Sequence, residues 1–477
     1  MKEIVFPCYY LPGVDESVVS NYQTVTSTDN DICVDLCFPV FSEEIIATII
    51  GHIKINQAKN IASKSIDEII EVCHQVAKLW LNPGYYLRQM ALEILPVTSG
   101  FSREMIEKCI TEMMRGFQRE ECRLMLDEEL GNRYYLDGFI KRKACPTKSK
   151  AFGPAVTAHV FSGNVPALPA LSILCSILLK SAILGKVSMD EPVFAVLLAK
   201  SIAEVSPELA SGIAIVYWEG GNENIEAQVF SKVDAVVAYG GNESIEAIRN
   251  KVPVSVNFVR FGHKLSFGII GREMLTRKTA PSITAAAAID VSMFDQQGCL
   301  SPHLLYIETG GELSPREFAQ SLALAMERIN QELPRGKITL QQSAVVRSFR
   351  EKYEIKDIKG VPVAVISSKG NTDWTVIYEE SSEFTLSCLN RVIMIQPITG
   401  CQEVIERVRP LGQYLQTVGV ALTGDKLTFV AEELGRLGAT RITPLGQMAF
   451  VSGTWHHDGR YNLLDLVRWV DLEFIEK

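Results

Sequence analysis

The sequence predicts an α/β protein: a parallel sheet flanked by helices, followed by a second α/β unit. Three observations lead there. Short apolar runs alternate with helical periods between residues 155 and 270, the spacing of βαβ units whose strands run parallel. A second alternation of the same kind covers residues 301–437. The chain has 477 residues, 47% hydrophobic and 22% charged, enough for two or three domains and unlike a disordered or fibrous composition.

Residues 1–53 show no dominant period, apart from a strand-like piece at 31–38 (DICVDLCF). From residue 65 the apolar period turns helical: Ile66, Ile69, Ile70, Cys73, Val76, Ala77 and Trp80 recur at three and four residues, one amphipathic face. Helical periods continue over 85–95 and 104–125, with Asn82-Pro83-Gly84 as a break. Residues 130–145 read as a loop whose basic run at 141–143 is a solvated face.

Residues 155–161 form the first predicted strand of the sheet. Ser162-Gly163-Asn164-Val165-Pro166 is the turn after it, with Asn164 capping a helix that runs to about residue 180. Strands at 182–187, 213–218, 235–239, 254–259 and 265–270 alternate with helices at 190–204, 223–232 and 243–251. This Rossmann-like architecture binds nucleotides at the carboxyl ends of its strands. The GxGxxG fingerprint is missing, since Gly163 stands alone. Lys186 and Ser188 after the second strand, and Gly240-Gly241 after the fourth, are the candidate replacements, although a lysine at a strand end is more often simply solvated.

A small-residue helix at 281–289 leads into residues 294–303, FDQQGCLSPH. Cys299 is the candidate nucleophile: Gly298 permits close backbone approach and Pro302 stiffens the exit. It is one of eleven cysteines, so its neighbours alone do not single it out. Strands at 304–307, 361–366, 375–378, 391–395 and 417–422, with helices at 315–333, 402–411 and 425–437, complete the second unit. In the tail, Trp455-His456-His457-Asp458-Gly459 forms a turn before an amphipathic helix at 463–470. The expected domains are 1–275, 276–445 and 446–477, the last packing back or mediating oligomerisation.

A net charge of −9 with a pI near 5.5 removes the electrostatic basis for bulk nucleic-acid binding. The start, MKEIVFPCYYLPGVDES, lacks a signal-peptide pattern, and the longest apolar run, 165–179, is too short for a membrane span. A cytoplasmic protein is expected. The cysteines are scattered without metal-ligand spacing, so no metal is expected.

Seven segments, LGNRYYLD (130–137), SGNVP (162–166), VYW (216–218), DAVVAYGG (234–241), FGHKLSF (261–267), FDQQGCLSP (294–302) and HDG (457–459), resemble the acyl-CoA reductase branch of the aldehyde dehydrogenase superfamily, the LuxC-type long-chain fatty-acid reductases of bacterial bioluminescence. They cover most of the chain in order, and the resemblance is weakest before residue 79 and over 310–386. It implies an aldehyde dehydrogenase-like fold, in which a Rossmann-like cofactor domain joins an α/β catalytic domain. It also implies an acyl-thioester reductase, with Cys299 as acyl acceptor and the Asn164 carboxamide and Cys299 backbone N–H as oxyanion donors. Lys186, Ser188, Gly240 and Gly241 would hold NADPH, with NADH as the alternative. NADPH is favoured because no acidic residue is evident in the Lys186-Val187-Ser188 turn.

Acyl-CoA or an acyl-protein would be the donor, an acyl-protein synthetase a partner, and a homo-oligomer the assembly. His457 with Asp458, and His263, are accessory candidates, though each of these histidines, like His159, reads alone as structural. Glu383 is the nearest match to the family glutamate that contacts the nicotinamide ribose. Oxidising aldehyde dehydrogenases carry a Glu-Leu-Gly-Gly-Lys stretch after the fifth strand. The comparable Arg260-Phe261-Gly262-His263-Lys264 has no carboxylate to activate water, which favours the reductive direction. An acyl-carrier subunit acylated at Cys299 and an aldehyde-oxidising dehydrogenase are the alternatives.

Overall fold

The computed structural model describes residues 2–13, 19, 21–143 and 147–473. The end of the expected loop at 144–146, the N-terminal residues 14–18 and the last of the tail at 474–477 lie outside them. The chain divides into two compact units, one of residues 1–99, 106–262 and 452–477, the other of 100–105 and 263–451.

In the first unit the amphipathic face read from the sequence is the buried face of helix Ile66–Leu81, where all seven of its residues are buried. Ser65 and Glu68 close a reciprocal capping box at its start. The Trp80 indole N–H donates to Ser201 Oγ at 2.8 Å, which lets a large aromatic sit fully inside. Helices Tyr86–Ser99, Arg103–Arg115 and Arg119–Leu130 follow. The single period expected over 104–125 is thus two helices. Three successive tight turns, ending with Gln118 N–H donating to Arg115 O at 3.1 Å, break it at Gly116. A helix not anticipated, Glu43–Asn56, starts on a Ser42 cap and buries Ile46, Ile49, Ile50 and Ile53.

The core of this unit is a five-stranded parallel sheet in the order Asn257–Phe261, Ala235–Tyr239, Val156–Val160, Ala182–Lys186, Ile213–Val216. Its inner strands are buried on both faces because helices cover both. Strand order reverses between Val156–Val160 and Ala235–Tyr239. At such a switch point the carboxyl ends open a crevice. Tyr10 seals the far edge through two backbone hydrogen bonds with Ile215.

Two strand expectations change. The fifth strand begins at Asn257, not residue 254: Pro253 opens a turn closed by Val256 N–H to its carbonyl, and Val254 is fully exposed. Leu265–Ile270 does not complete this sheet and instead belongs to the second unit, paired with Pro302–Glu308 and Leu415–Ala421.

The tail differs too. In place of a helix over 463–470 there is a 3-10 turn, Leu464–Leu466, and a strand, Arg468–Leu472, antiparallel to Lys148–Phe152. The Glu129 carboxylate accepts from the N–H groups of Asn462, Leu463 and Leu464, at 2.9, 2.6 and 3.0 Å.

The second unit is built on a seven-stranded sheet in the order Val363–Ser367, Thr375–Glu379, Val392–Ile398, Pro302–Glu308, Leu265–Ile270, Leu415–Ala421, Arg441–Pro444, parallel except for the first. Separate apolar clusters cover its two faces. Helix Leu340–Ile358 has no counterpart in the sequence reading. It buries only Val346 and Tyr353, so its apolar period is faint, although Thr339 and Gln342 form a capping box that marks its start. Among the described residues no helix is long and apolar enough to cross a membrane.

Candidate active site

In the second unit, helix Ala280–Ser292 delivers the chain to the cysteine loop. Phe294, Asp295 and Gln296 then take left-handed backbone conformations, with φ of 54°, 48° and 65°. The buried Gln296 amide ties the loop down, donating to Pro302 O at 2.7 Å and Val392 O at 2.9 Å and accepting from Val392 N–H at 3.0 Å. A turn closed by Ser301 N–H to Gly298 O at 3.0 Å carries Cys299 at its second position. The Cys299 carbonyl accepts from Ser266 Oγ at 2.7 Å, and that oxygen accepts from Thr417 N–H at 3.2 Å. A β-carbon on Gly298 would stand 3.1 Å from the Phe294 ring, so the small residue there serves packing under the turn. Pro302 opens the strand Pro302–Glu308, where a missing N–H costs least.

Of the ten described cysteines, Cys299 alone is exposed. Burial pushes the Cys8 and Cys175 thiols far up and Cys388 up to about 11, which leaves them inert as nucleophiles. His263 is exposed at the entry to Leu265–Ile270. It neighbours His303, whose ring is held down to about 4 by burial first and by His263 second. His303 is therefore neutral at pH 7. Sequence reasoning passed over it although it stands four residues from Cys299. Glu383 is exposed in the same unit, its N–H donating to Ser381 Oγ at 3.2 Å.

The other candidates sit in the first unit, at the carboxyl ends of the parallel strands. Asn164 is exposed in the loop after Val156–Val160, but it does not cap the following helix. That helix, Pro169–Leu178, starts five residues later on Leu168, after a left-handed Ala167. Gly163 is pressed against the next turn: a β-carbon would lie 2.7 Å from Asp190 Cβ and 2.9 Å from Ser188 Oγ. The loop bearing Asn164 and the turn bearing Ser188 are thus in contact.

Lys186 is half-buried, its Nζ 5.7 Å from the Tyr217 ring centre and 5.6 Å from that of Trp218. Burial pulls its pKa down, partly opposed by Glu226, and the aromatic faces suit a cation there. Ser188 Oγ accepts from Asp190 N–H at 3.3 Å. Two acids follow the Lys186-Val187-Ser188 turn: Asp190 is exposed and Glu191 is buried. Glu191 Oε1 accepts from Val193 and Phe194 N–H groups at 3.0 and 2.8 Å, and burial raises the carboxyl to about 7. Gly241 heads helix Asn242–Arg249 with no side-chain cap and open space around its α-carbon, while Gly240 N–H donates to Phe261 O at 3.2 Å.

His457 is 6% exposed inside a stack of rings. Its ring centre is 4.0 Å from Phe261 and 4.5 Å from Trp455, and Phe261 lies 4.7 Å from Tyr239. Phe261 and Tyr239 are the last residues of adjacent strands, so the tail turn docks on the carboxyl ends of the sheet. Asp458 follows in a left-handed conformation. The sequence signal for this stack was an aromatic closing each of two strands. His159 is a core residue, its Nε2 2.7 Å from Ser176 Oγ and its pKa held down to about 3 by burial.

The model of the acyl-CoA reductase (LuxC) family matches residues 61–469, a span that includes every candidate above. The chain belongs to this family. This LuxC-family chain is 25% identical over 418 residues, 86% of its length and 81% of the relative's, to the long-chain acyl-protein thioester reductase of Photobacterium phosphoreum. To the enzyme of the same name from Photorhabdus luminescens it is 25% identical over 459 residues, 94% and 89% of the two chains.

Among solved structures, an aldehyde dehydrogenase from Brucella melitensis biovar abortus 2308 superposes with a TM-score of 0.73 at 12% identity, covering 95% of this chain and 93% of the other. An NAD-dependent benzaldehyde dehydrogenase from Corynebacterium glutamicum gives 0.71 at 13%, covering 97% and 100%. The LuxC-family chain therefore has the aldehyde dehydrogenase fold, and the resemblance read from seven short motifs is borne out. It is an oxidoreductase of the LuxC type.

Proposed function

We propose that the protein reduces a long-chain fatty acyl thioester to the aldehyde, with Cys299 as acyl acceptor and NADPH as reductant. The observation that carries this reading is that Cys299, alone of the ten described cysteines, is exposed, in a built loop within the family match. The names of the relatives support an acyl-protein as donor beside acyl-CoA. An acyl-protein synthetase as supplying partner and a homo-oligomeric assembly belong to the same proposal.

The Cys299 thiolate attacks the thioester carbonyl; its sulfur bonds to the acyl carbon and the donor leaves as a thiolate that takes up a proton. Exchange of one thioester for another is nearly isoenergetic, so position and thiolate character set the rate. The Cys299 backbone N–H and the Asn164 carboxamide hold the developing oxyanion, and losing one such donor costs ~10²–10³ in rate.

The residues at the strand ends fit a nicotinamide dinucleotide: Lys186 offers a half-buried ammonium, and the uncapped start of Asn242–Arg249 offers backbone N–H groups to phosphate. Ser188 and Gly240 line the same ends. Bound in its reduced form, the cofactor supplies the hydride. The thiohemiacetal on Cys299 then collapses, breaking the carbon–sulfur bond and releasing aldehyde. His457 with Asp458, and His263, are accessory groups in this reading. The absence of a carboxylate from residues 260–264 leaves water without a base there, so the acyl-cysteine survives to be reduced.

The purified protein is given acyl-CoA of graded chain length with NADPH or NADH. Nucleotide oxidation with aldehyde release is expected. No oxidation with any combination, in a folded sample that binds nucleotide, would sink the reading. Cys299→Ala should lose turnover and covalent acylation while keeping nucleotide binding. An acyl adduct that nucleotide does not discharge would indicate a carrier instead.

A further inference from the structure

Two left-handed turns face each other behind the cysteine loop. Residues 294–296 have φ of 54°, 48° and 65°, and residues 389–391 have φ of 63°, 55° and 61°, with no glycine in either run. Such backbone is unfavourable for residues with a β-carbon and persists only where the surroundings over-determine it.

Here the surroundings are specific. Arg391, 0% exposed, donates from Nε to Asp295 Oδ1 at 2.7 Å, and its Nη2 makes an ionic contact with the same oxygen at 2.7 Å. Its Nη1 donates to Asn330 Oδ1 at 3.0 Å and Leu333 O at 2.9 Å. Asp295 Oδ2 accepts from Gly336 N–H at 3.0 Å. The neighbouring residues repeat the link: Gln297 Nε2 donates to Asn390 Oδ1 at 3.1 Å, and Gln296 brackets Val392. Gln296 also grips Pro302, so the segment bearing Cys299 is fixed at both of its ends.

Replacing a buried ion pair by apolar side chains of the same volume is often neutral or stabilising, whereas removing one partner leaves a buried charge uncompensated, and in some systems such a pair fixes register. We propose that the Asp295–Arg391 pair positions Cys299, holding the two left-handed turns in register so that the 298–301 turn presents the thiol outward. The proposal rests on reading Cys299 as the acyl acceptor.

Asp295→Asn keeps the shape and removes the counter-charge. In a variant whose thermal unfolding remains cooperative, single-turnover acylation and kcat should fall together by about ten- to a hundredfold, the loss expected from a small misplacement of a reacting group. The KM for nucleotide should stay within about twofold, and iodoacetamide labelling of the Cys299 peptide should change rate by about threefold or more. Acylation, kcat and labelling all near wild type in folded Asp295→Asn would overturn the proposal.

If that variant does not fold, Arg391→Lys decides: it keeps the charge and loses the planar fork that spans Asp295, Asn330 and Leu333. Slower acylation with nucleotide KM kept supports the proposal, and unchanged acylation overturns it. Turnover that survives Cys299→Ala would refute the nucleophile itself, while the labelling rates would still decide the positioning claim.

Discussion

Glu191 carries the sharpest residue-level consequence. Its carboxyl is raised from an ordinary 4.5 to about 7 because it is buried, and Oε2 has no partner among the described residues. A folded-state pKa above the unfolded one contributes stability that is complete below about 4.5 and lost as pH rises through about 7. Glu191→Gln should therefore gain on the parent by on the order of 3 kcal/mol between pH 5 and pH 8, read by urea unfolding at both. A pH-independent difference between the two proteins would refute it.

Asp190, one residue before and exposed, is an acid just beyond the Lys186-Val187-Ser188 turn. In the proposed nucleotide site its charge would disfavour a 2′-phosphate, so Asp190→Ala should lower the KM for NADPH relative to NADH by about threefold or more, read from initial rates. Residue-scale legibility was uneven for a physical reason. Lys186 closes a strand, and Asn164 and Cys299 lie in loops that follow a strand and a helix, positions that local pattern announces. Asp295 and Arg391 are 96 residues apart and bury a charge pair that no periodicity announces.

At the scale of elements, the tail depends on one side chain. The Glu129 carboxylate satisfies three N–H groups at the start of the turn Leu464–Leu466, and replacing it strands them. Glu129→Ala should cost about 3 kcal/mol and raise amide exchange over residues 460–473, detected by mass spectrometry. Exchange unchanged there would mean that the strand pairing of Arg468–Leu472 alone holds the segment.

Residues 463–470 have a helical look, yet the chain leaves the turn Leu464–Leu466 for the strand Arg468–Leu472, because that strand pairs with Lys148–Phe152 more than 300 residues away. By contrast Ala235–Tyr239 and Leu265–Ile270 were legible to the residue, because apolar runs bounded by charged or glycine residues admit few other readings. The sheet to which a strand belongs is not local information, and Leu265–Ile270 was assigned to the wrong one. Helix Leu340–Ile358 was missed because it is mostly solvated, and its capping box was the one available sign.

Across the whole molecule, buried histidines and buried carboxyls pull the pH dependence in opposite senses. His159 and His303 are held down to about 3 and about 4, so the unfolded chain binds their protons first and stability falls as pH drops below about 6.5. Glu191 and Asp290 are both raised to about 7, so their contribution is lost as pH rises. Between about pH 4.5 and 6.5 the histidine and carboxyl contributions oppose each other, with Asp295, also raised by burial, on the carboxyl side. Above that only the carboxyl contributions change, and stability should decline from about pH 6.5 to 7.5, which denaturant midpoints across this range would show. Midpoints that rise over the same interval would contradict the assignment.

The alternation that placed the chain in the α/β class held over both units, because a fully covered parallel sheet imposes a long-range order that local patterns repeat many times. One arrangement among these long-range contacts also gives the molecule an optical handle. Trp455 stacks on His457 at 4.5 Å, and His457 in turn rests on Phe261. A ring in contact with an indole alters its emission, so the emission of Trp455 would change as the tail turn lifts from or settles on the strand ends, a reading of local docking that needs no attached dye.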